Sequence, residues 1–188
     1  MLDNETLRII KQRRSTRSFK DEQITEEELQ AILEAGLYAP NAGGQAWHFT
    51  AIQNRGLLDR LNLAAKQAAR QMDIEQLRAL GNDEGFDCLY GAPALIIVSG
   101  NERSPVPLEA DCAAATQNML LAAESLGLGS CWIFFVTLAF YSPQGNALRK
   151  ELQIPEGYKP FYAAVFGYRQ EAPASAPDRK PNLITCIK

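Results

Sequence analysis

Leu108 to Val136 reads L-E-A-D-C-A-A-A-T-Q-N-M-L-L-A-A-E-S-L-G-L-G-S-C-W-I-F-F-V. Cys112, Ala115, Met119, Ala122, Ala123 and Leu126 recur at three- and four-residue spacing, which predicts a helix over 108–126 with one broad apolar side. Ala110, Ala113 and Ala114 keep much of its remaining surface small, so another helix can approach closely. A helix apolar around so much of its circumference belongs at the centre of a fold, and in a chain this short a partner subunit is expected to complete its cover. Gly127-Leu128-Gly129 ends it, because glycine takes the left-handed C-terminal conformation without strain. Ser130 to Val136 then follows as an apolar strand or wall.

Outward from this centre, Pro93 introduces Ala-Leu-Ile-Ile-Val-Ser (94–99), a continuous apolar run of the kind expected for a central strand buried on both faces. Trp47 to Ile52 is a strand by its aromatic and β-branched content, and Phe161 to Tyr168 is the last strong one. Thr25 and Glu28 form a capping box for an amphipathic helix over 26–38, with Leu29, Ile32, Leu33 and Leu37 on one stripe. Residues 3–14 read as a helix capped by Asp3 or Asn4. Residues 56–80 read as two helices before a break at Gly81-Asn82-Asp83, and Ser142-Pro143 begins another that runs to Ile154. From Gln170 to Pro181 the chain is a polar linker rich in Pro and Ala. Asn182 to Ile187 regains strand character, and a terminal strand after such a linker is expected to pair outside its own core.

The 188 residues suffice for one domain, 1–188, and carry a net charge of −3, against a general nucleic-acid binder, which needs a broad basic face. No apolar run approaches the roughly 20 residues of a membrane span, and the first eleven residues are too polar for a signal peptide, so a cytoplasmic protein is expected. Cys88, Cys112, Cys131 and Cys186 are spaced too irregularly for a zinc site and read as buried free thiols. His48 is the one histidine, which excludes a His-rich metal site, and it reads as structural. Gly127-x-Gly129 follows a helix and lacks a third glycine, so it is no dinucleotide fingerprint. No phosphate loop of the GxxxxGK[ST] type occurs.

The basic groups are local. Arg13-Arg14-Ser15-Thr16-Arg17 places three guanidinium groups and two hydroxyls in five residues at a helix end. If that helix continues, Arg13 and Arg17 stand a turn apart and offer planar donor forks to an anion. Pro40-Asn41-Ala42-Gly43-Gly44-Gln45 adds a loop with open backbone and side-chain amides.

In combination, Arg13 to Arg17, Pro40 to the Trp47-His48-Phe49 strand, Leu89-Tyr90-Gly91-Ala92-Pro93, Gln117 to Ile133 and the basic pair Arg179-Lys180 resemble the nitroreductase family, in the family's order and over nearly the whole chain. The resemblance implies an α+β fold, a mostly antiparallel sheet flanked by helices. It further implies a homodimer with a swapped C-terminal strand and two FMN molecules at the interface, and NAD(P)H as electron donor. Arg13, Arg14 and Ser15 would hold the phosphate and ribityl chain, with Arg179 and Lys180 closing on the phosphate. Arg17 would face the pyrimidine edge. Pro40, Asn41, Ala42 and Gln45 would touch the flavin of the other subunit, and the backbone of Ile133, Phe134 and Phe135 would lie along the ring with its amides available to N5. Phe134 stands where some relatives have Glu or Gly, leaving backbone alone to act there. The implied reaction carries hydride through flavin to a nitroaromatic, quinone or related acceptor. A flavin-binding storage or sensor protein without turnover, and a reductive dehalogenase or dehydrogenase of the same fold, are the alternatives.

Overall fold

A computed structural model describes residues 2–188. Its strands are β1 (Trp47–Ile52), β2 (Ala94–Asn101), β3 (Gly129–Ile133) and β4 (Tyr158–Gly167), joined in the order β1-β2-β4-β3 with every pair antiparallel. β2 lies inside the sheet and is buried from Ala94 to Gly100, as its unbroken apolar run predicts.

The period-two alternation of a strand splits the core into two layers. Leu95 and Ile97 of β2, with Ala163 and Val165 of β4, face Leu58, Leu61 and Ala65 of α3 (Arg55–Arg70), Val136 and Ala139 of a 3-10 helix (Phe135–Tyr141) and Leu148 of a short helix at Gly145–Glu151. Ile96, Val98, Ala164 and Phe166 point the other way, onto Leu29 and Ile32 of α2 (Glu26–Leu37) and Cys112, Ala115, Met119 and Ala123 of α5 (Leu108–Ser125). Helices α1 (Glu5–Gln12) and α4 (Glu75–Asn82) complete the chain, α1 against α5 and α4 against α3. The close helix approach rests on Gly36 of α2, where an added Cβ would come 2.2 Å from Met119 Cε.

Four details differ from the sequence reading, each for a tertiary reason. α1 stops at Gln12, because Arg13 leaves the helix at ψ 129° and the following residues bridge to Ser130. α4 runs through Gly81 instead of breaking there. A Cβ on Gly81 would meet the Lys66 carbonyl oxygen at 2.8 Å, so this glycine serves close packing and not a turn. β3 ends at Ile133, and Ser142 closes the 3-10 helix by donating from Oγ to the Ala139 carbonyl at 2.7 Å, so the next helix begins at Gly145. All four cysteines are free, but only Cys88, Cys112 and Cys131 are buried, and Cys186 is exposed on the tail.

Two polar ties fasten surface segments to this frame. The capping box of α2 forms as read, and Glu28 also accepts a hydrogen bond from Tyr168 Oη at 2.8 Å, pinning α2 to the end of β4. Asp111, 7% exposed in the first turn of α5, accepts the Ala42 amide with its carboxylate oxygens at 3.1 and 3.3 Å, and so sets the course of the 40–45 loop.

Replacing Asp111 by Ala removes the charged acceptor of the Ala42 N–H, and a hydrogen bond to a charged group contributes about 1.5–3 kcal/mol. Urea denaturation should record that loss, amide exchange at Ala42 should accelerate, and Asp111→Asn, which keeps an acceptor, should recover most of both. Burial pushes the Glu28 carboxyl upward, but its bonds from Thr25 and Tyr168 outweigh that and leave it below the ordinary value. Its stabilising contribution is therefore full above the unfolded value of about 4.3 and lost as pH falls through the lower folded one. Thermal melts across an acid series should show a steeper loss for the parent protein than for Glu28→Gln.

Candidate functional site

The site grows from the segment after α1. The Thr16 amide donates to the Ser130 carbonyl at 2.9 Å, and Ser15 forms a parallel bridge with Ser130, which lays residues 13–17 beside the start of β3. Gly129 permits this approach, since a Cβ there would come 2.9 Å from Thr16. Because the segment is no longer helical, Arg13, Ser15 and Arg17 share a side through the period of two of an extended chain, not through a helical turn. All three bear on Cys131. Burial raises that thiol above its usual value, while Arg17, a hydrogen bond from Ser15 and Arg13 pull the other way.

The three guanidinium groups have different fates. Arg14 turns back on the end of α1, donating to the Lys11 carbonyl at 2.8 Å and to the Arg13 carbonyl, an arrangement that satisfies helix-end acceptors. The Arg13 and Arg17 guanidiniums make no ion pair or hydrogen bond among the described residues. Arg17 instead lies over the ring of Tyr90, 6.0 Å from its centroid. Ser15, Thr16, Arg17 and Ser18 line one side of a groove of about 270 Å³, and Glu171 to Ala174 of the tail line the other. Arg179 and Lys180 follow on this exposed tail without a described contact to Arg13 or Arg17.

Around Arg17 the sequence reading missed a built support. Tyr90 (φ 58°) and Gly91 (φ 74°) are successive left-handed residues closed by the Ala92 amide on the Leu89 carbonyl at 3.0 Å. Glycine suits such a turn, but an aromatic residue there costs about 1–3 kcal/mol. The Asp87 carboxylate holds it, accepting the Leu89 and Gly91 amides at 2.9 and 2.7 Å. Beside it Phe86 meets Phe135 edge-on at 5.0 Å. Lys66, 7% exposed, anchors the same loop by donating to the Asp83 and Phe86 carbonyls at 2.5 and 3.1 Å. The available signal was a Tyr-Gly pair two residues before Pro93.

Where β3 becomes the 3-10 helix, Ile133 and Phe135 are buried and Phe134 is 63% exposed, so an apolar ring stands in solvent at the end of β3. The 40–45 loop is elsewhere. Asn41 Oδ1 accepts the Gly43 amide at 3.0 Å and the Gln45 amide at 3.4 Å, Gln45 is left-handed at φ 46°, and Pro40, Ala42 and Gln45 are exposed. Asp111 fastens this loop to the first turn of α5, whereas Arg13 to Arg17 lie beside the strand that leaves the last turn. At 1.5 Å per residue these ends are about 20 Å apart. The 40–45 loop and the Arg13 to Arg17 segment are therefore tied to opposite ends of α5.

His48 is half-buried in β1, its ring edge-on to Tyr158 at 6.1 Å and its pKa lowered by burial. β1 and β3 are opposite edges of the sheet, three strand spacings or about 14 Å apart, which removes His48 from the arginines. Among the described residues no group of three or more His, Cys, Asp or Glu side chains is placed to hold a metal, and no helix is long and apolar enough to cross a membrane.

The model of the Nitroreductase family matches residues 10–168. A provisionally named NADH dehydrogenase/NAD(P)H nitroreductase of Archaeoglobus fulgidus is 34% identical over 89% of this chain and 87% of its own. Among solved structures, a nitroreductase with bound FMN from Bacteroides fragilis superposes with a TM-score of 0.92 at 39% identity, covering 99% of this chain and 100% of that one. A second, from Desulfitobacterium hafniense and also with bound FMN, gives 0.88 at 31% identity over the full length of both. With its antiparallel sheet between two helical layers and a family match spanning most of its length, the chain belongs to the Nitroreductase family.

Proposed function

We propose that this chain, acting as one domain in a cytoplasmic homodimer, is an FMN-dependent oxidoreductase that draws hydride from NADH or NADPH and delivers electrons to a nitroaromatic, quinone or related small acceptor. The observation that carries the reading is the pair of guanidiniums on Arg13 and Arg17, on the segment whose Ser15 bridges to Ser130, left without an ion pair among the described residues. Glu171 lines the adjoining groove without pairing with them. The donor set suits a phosphate and an electron-rich ring edge, and the related proteins from Bacteroides fragilis and Desulfitobacterium hafniense were crystallised with FMN.

When bound, FMN supplies hydride acceptance at N5 and onward electron transfer. The chain's own part is to bind and orient. Arg13 and Ser15 hold the phosphate and ribityl chain, each charge-assisted contact contributing about 1.5–3 kcal/mol. Arg179 and Lys180, on the exposed tail, would close on the same phosphate. Arg14 is the least free of the three arginines, since carbonyls already occupy it. Arg17 would face the pyrimidine edge of the flavin, where a fixed cation favours the reduced form. The backbone at Ile133, Phe134 and Phe135 would lie along the ring.

The second copy follows from the two segments at opposite ends of α5. Pro40, Asn41, Ala42 and Gln45 would reach the cofactor held by the other subunit's arginines. Three surfaces support this assembly. Ile9, Ile10, Ala35, Tyr38, Leu121 and Ala122 line an apolar groove of about 420 Å³ between α1, α2 and α5, with Tyr38 79% exposed. β1 is an edge strand with a groove of about 420 Å³ along His48 to Asn54. Leu183, Ile184 and Ile187 stand 75, 85 and 94% exposed on a tail without a strand partner in its own chain. A partner's tail added to the free edge of β1 buries the apolar side chains and pairs the open backbone.

Purified protein should show a flavin absorption spectrum and oxidise NADH or NADPH in the presence of a quinone or nitroaromatic. A colourless protein that takes up no added FMN overturns the proposal, and bound FMN that neither nicotinamide reduces converts it to binding without turnover. Arg13→Ala should weaken FMN binding about tenfold or more, as expected for loss of ~1.4 kcal/mol, measured by fluorescence titration. Removing residues 182–188 should shift the protein toward monomer in analytical ultracentrifugation and weaken FMN retention with it.

A further inference from the structure

The turn Leu89-Tyr90-Gly91-Ala92 contains a contradiction. Both central residues have positive φ, 58° and 74°, a pattern dominated by Gly, Asn and Asp, yet the first is a half-buried tyrosine. The turn is enforced by the two amide bonds to the Asp87 carboxylate and the Ala92 amide bond to Leu89. Strain of this kind persists only where the surroundings over-determine it, and it concentrates at working sites. What the conformation achieves is the placement of the Tyr90 ring beneath the Arg17 guanidinium, centroid 6.0 Å from Cζ. Arg17 is otherwise exposed and has no carboxylate partner among the described residues. A long cation without such a seat samples many rotamers, whereas a ring face restricts it without neutralising its charge.

We propose that Tyr90 is the positioning residue for Arg17: the Asp87-built turn presents its ring as a seat that holds the guanidinium toward the pyrimidine edge of the cofactor and thereby sets how strongly the site prefers the reduced form. This rests on the role proposed above for Arg17. An ion pair would also fix the arginine, but a carboxylate would cancel the field that the site needs. A ring face holds the cation and leaves the charge available. Asp87 spends its own charge on backbone amides and not on Arg17.

The test is the midpoint potential of bound FMN at pH 7, followed spectroscopically against reference dyes. Tyr90→Leu should lower the two-electron potential by about 30 mV, the equivalent of a tenfold loss of preference for reduced over oxidised cofactor. Tyr90→Phe, which keeps the ring face, should leave it in place. In an Arg17→Ala background Tyr90→Leu should cause no further shift. Replacing the ring by a pentafluorophenyl ring of similar shape drains the face with little change in packing, and should reproduce the Tyr90→Leu shift even if the leucine variant folds poorly. If Arg17→Ala lowers the potential but neither ring replacement does, Tyr90 does not position the arginine and the proposal fails while the role of Arg17 stands. A Tyr90 shift that persists unchanged without Arg17 assigns the effect to packing and also overturns the proposal. If Arg17→Ala itself leaves the potential unmoved, the fault lies in the placement of Arg17 at the ring edge.

Discussion

The hydrogen bond from the Thr16 amide to the Ser130 carbonyl is the constraint on which the site depends. Without it, the arginines after α1 would continue a helix and project around its circumference. With it, the chain leaves the helix at Arg13 and lies beside β3, so that Arg13, Ser15 and Arg17 stand along that strand's edge. The bond is possible because Gly129 removes a side chain that would meet Thr16 at 2.9 Å. The nearby ion pair between Arg169 and Glu124, at 2.5 Å and largely shielded from solvent, holds the same corner, and Arg169 also donates to the Gly127 carbonyl at 2.9 Å. Phe19, bridged to Arg169, keeps the segment from leaving the sheet beyond Arg17.

α5 distributes the working parts in space. Its last turn leads into β3 and the arginines, and its first turn carries Asp111, which fixes the 40–45 loop. A helix is a rigid spacer, so it holds these groups at opposite ends of its length. The separation gives a physical meaning to the apolar groove, the free edge of β1 and the apolar tail. They are the surfaces that the proposed homodimer would bury, with the 40–45 loop of one copy brought toward the arginines of the other.

The polar groups that organise the molecule work through backbone more than through each other. Asp111, Asp87, Lys66 and Arg14 each spend their charge on main-chain amides or carbonyls. Such bonds fix loops that have little apolar surface of their own, and they leave Arg13 and Arg17 as the cations of the 13–17 segment without acceptors among the described residues. Local order is thereby obtained without consuming the charge that a bound anion would use.

Much of the frame was legible in the sequence because it depends on periodicity and local chemistry. The capping box of α2, the apolar circumference of α5, its glycine termination and the buried run of β2 are properties of neighbouring residues, and the structure contains all of them. The family was legible as a combination of separated motifs, and the match over residues 10–168 agrees with it. What the sequence could not reveal were contacts between residues distant along the chain. The close approach at Gly81, the exit of the chain from helix at Arg13, the Asp111 anchor and the seating of Arg17 on Tyr90 all require knowing which segments meet. By itself the sequence determined the elements, the family and the charge gathered near the first helix, because spacing along one chain carries that information. Only tertiary structure decided which arginines remain free and where they point, because that depends on acceptors supplied by backbone from elsewhere in the fold.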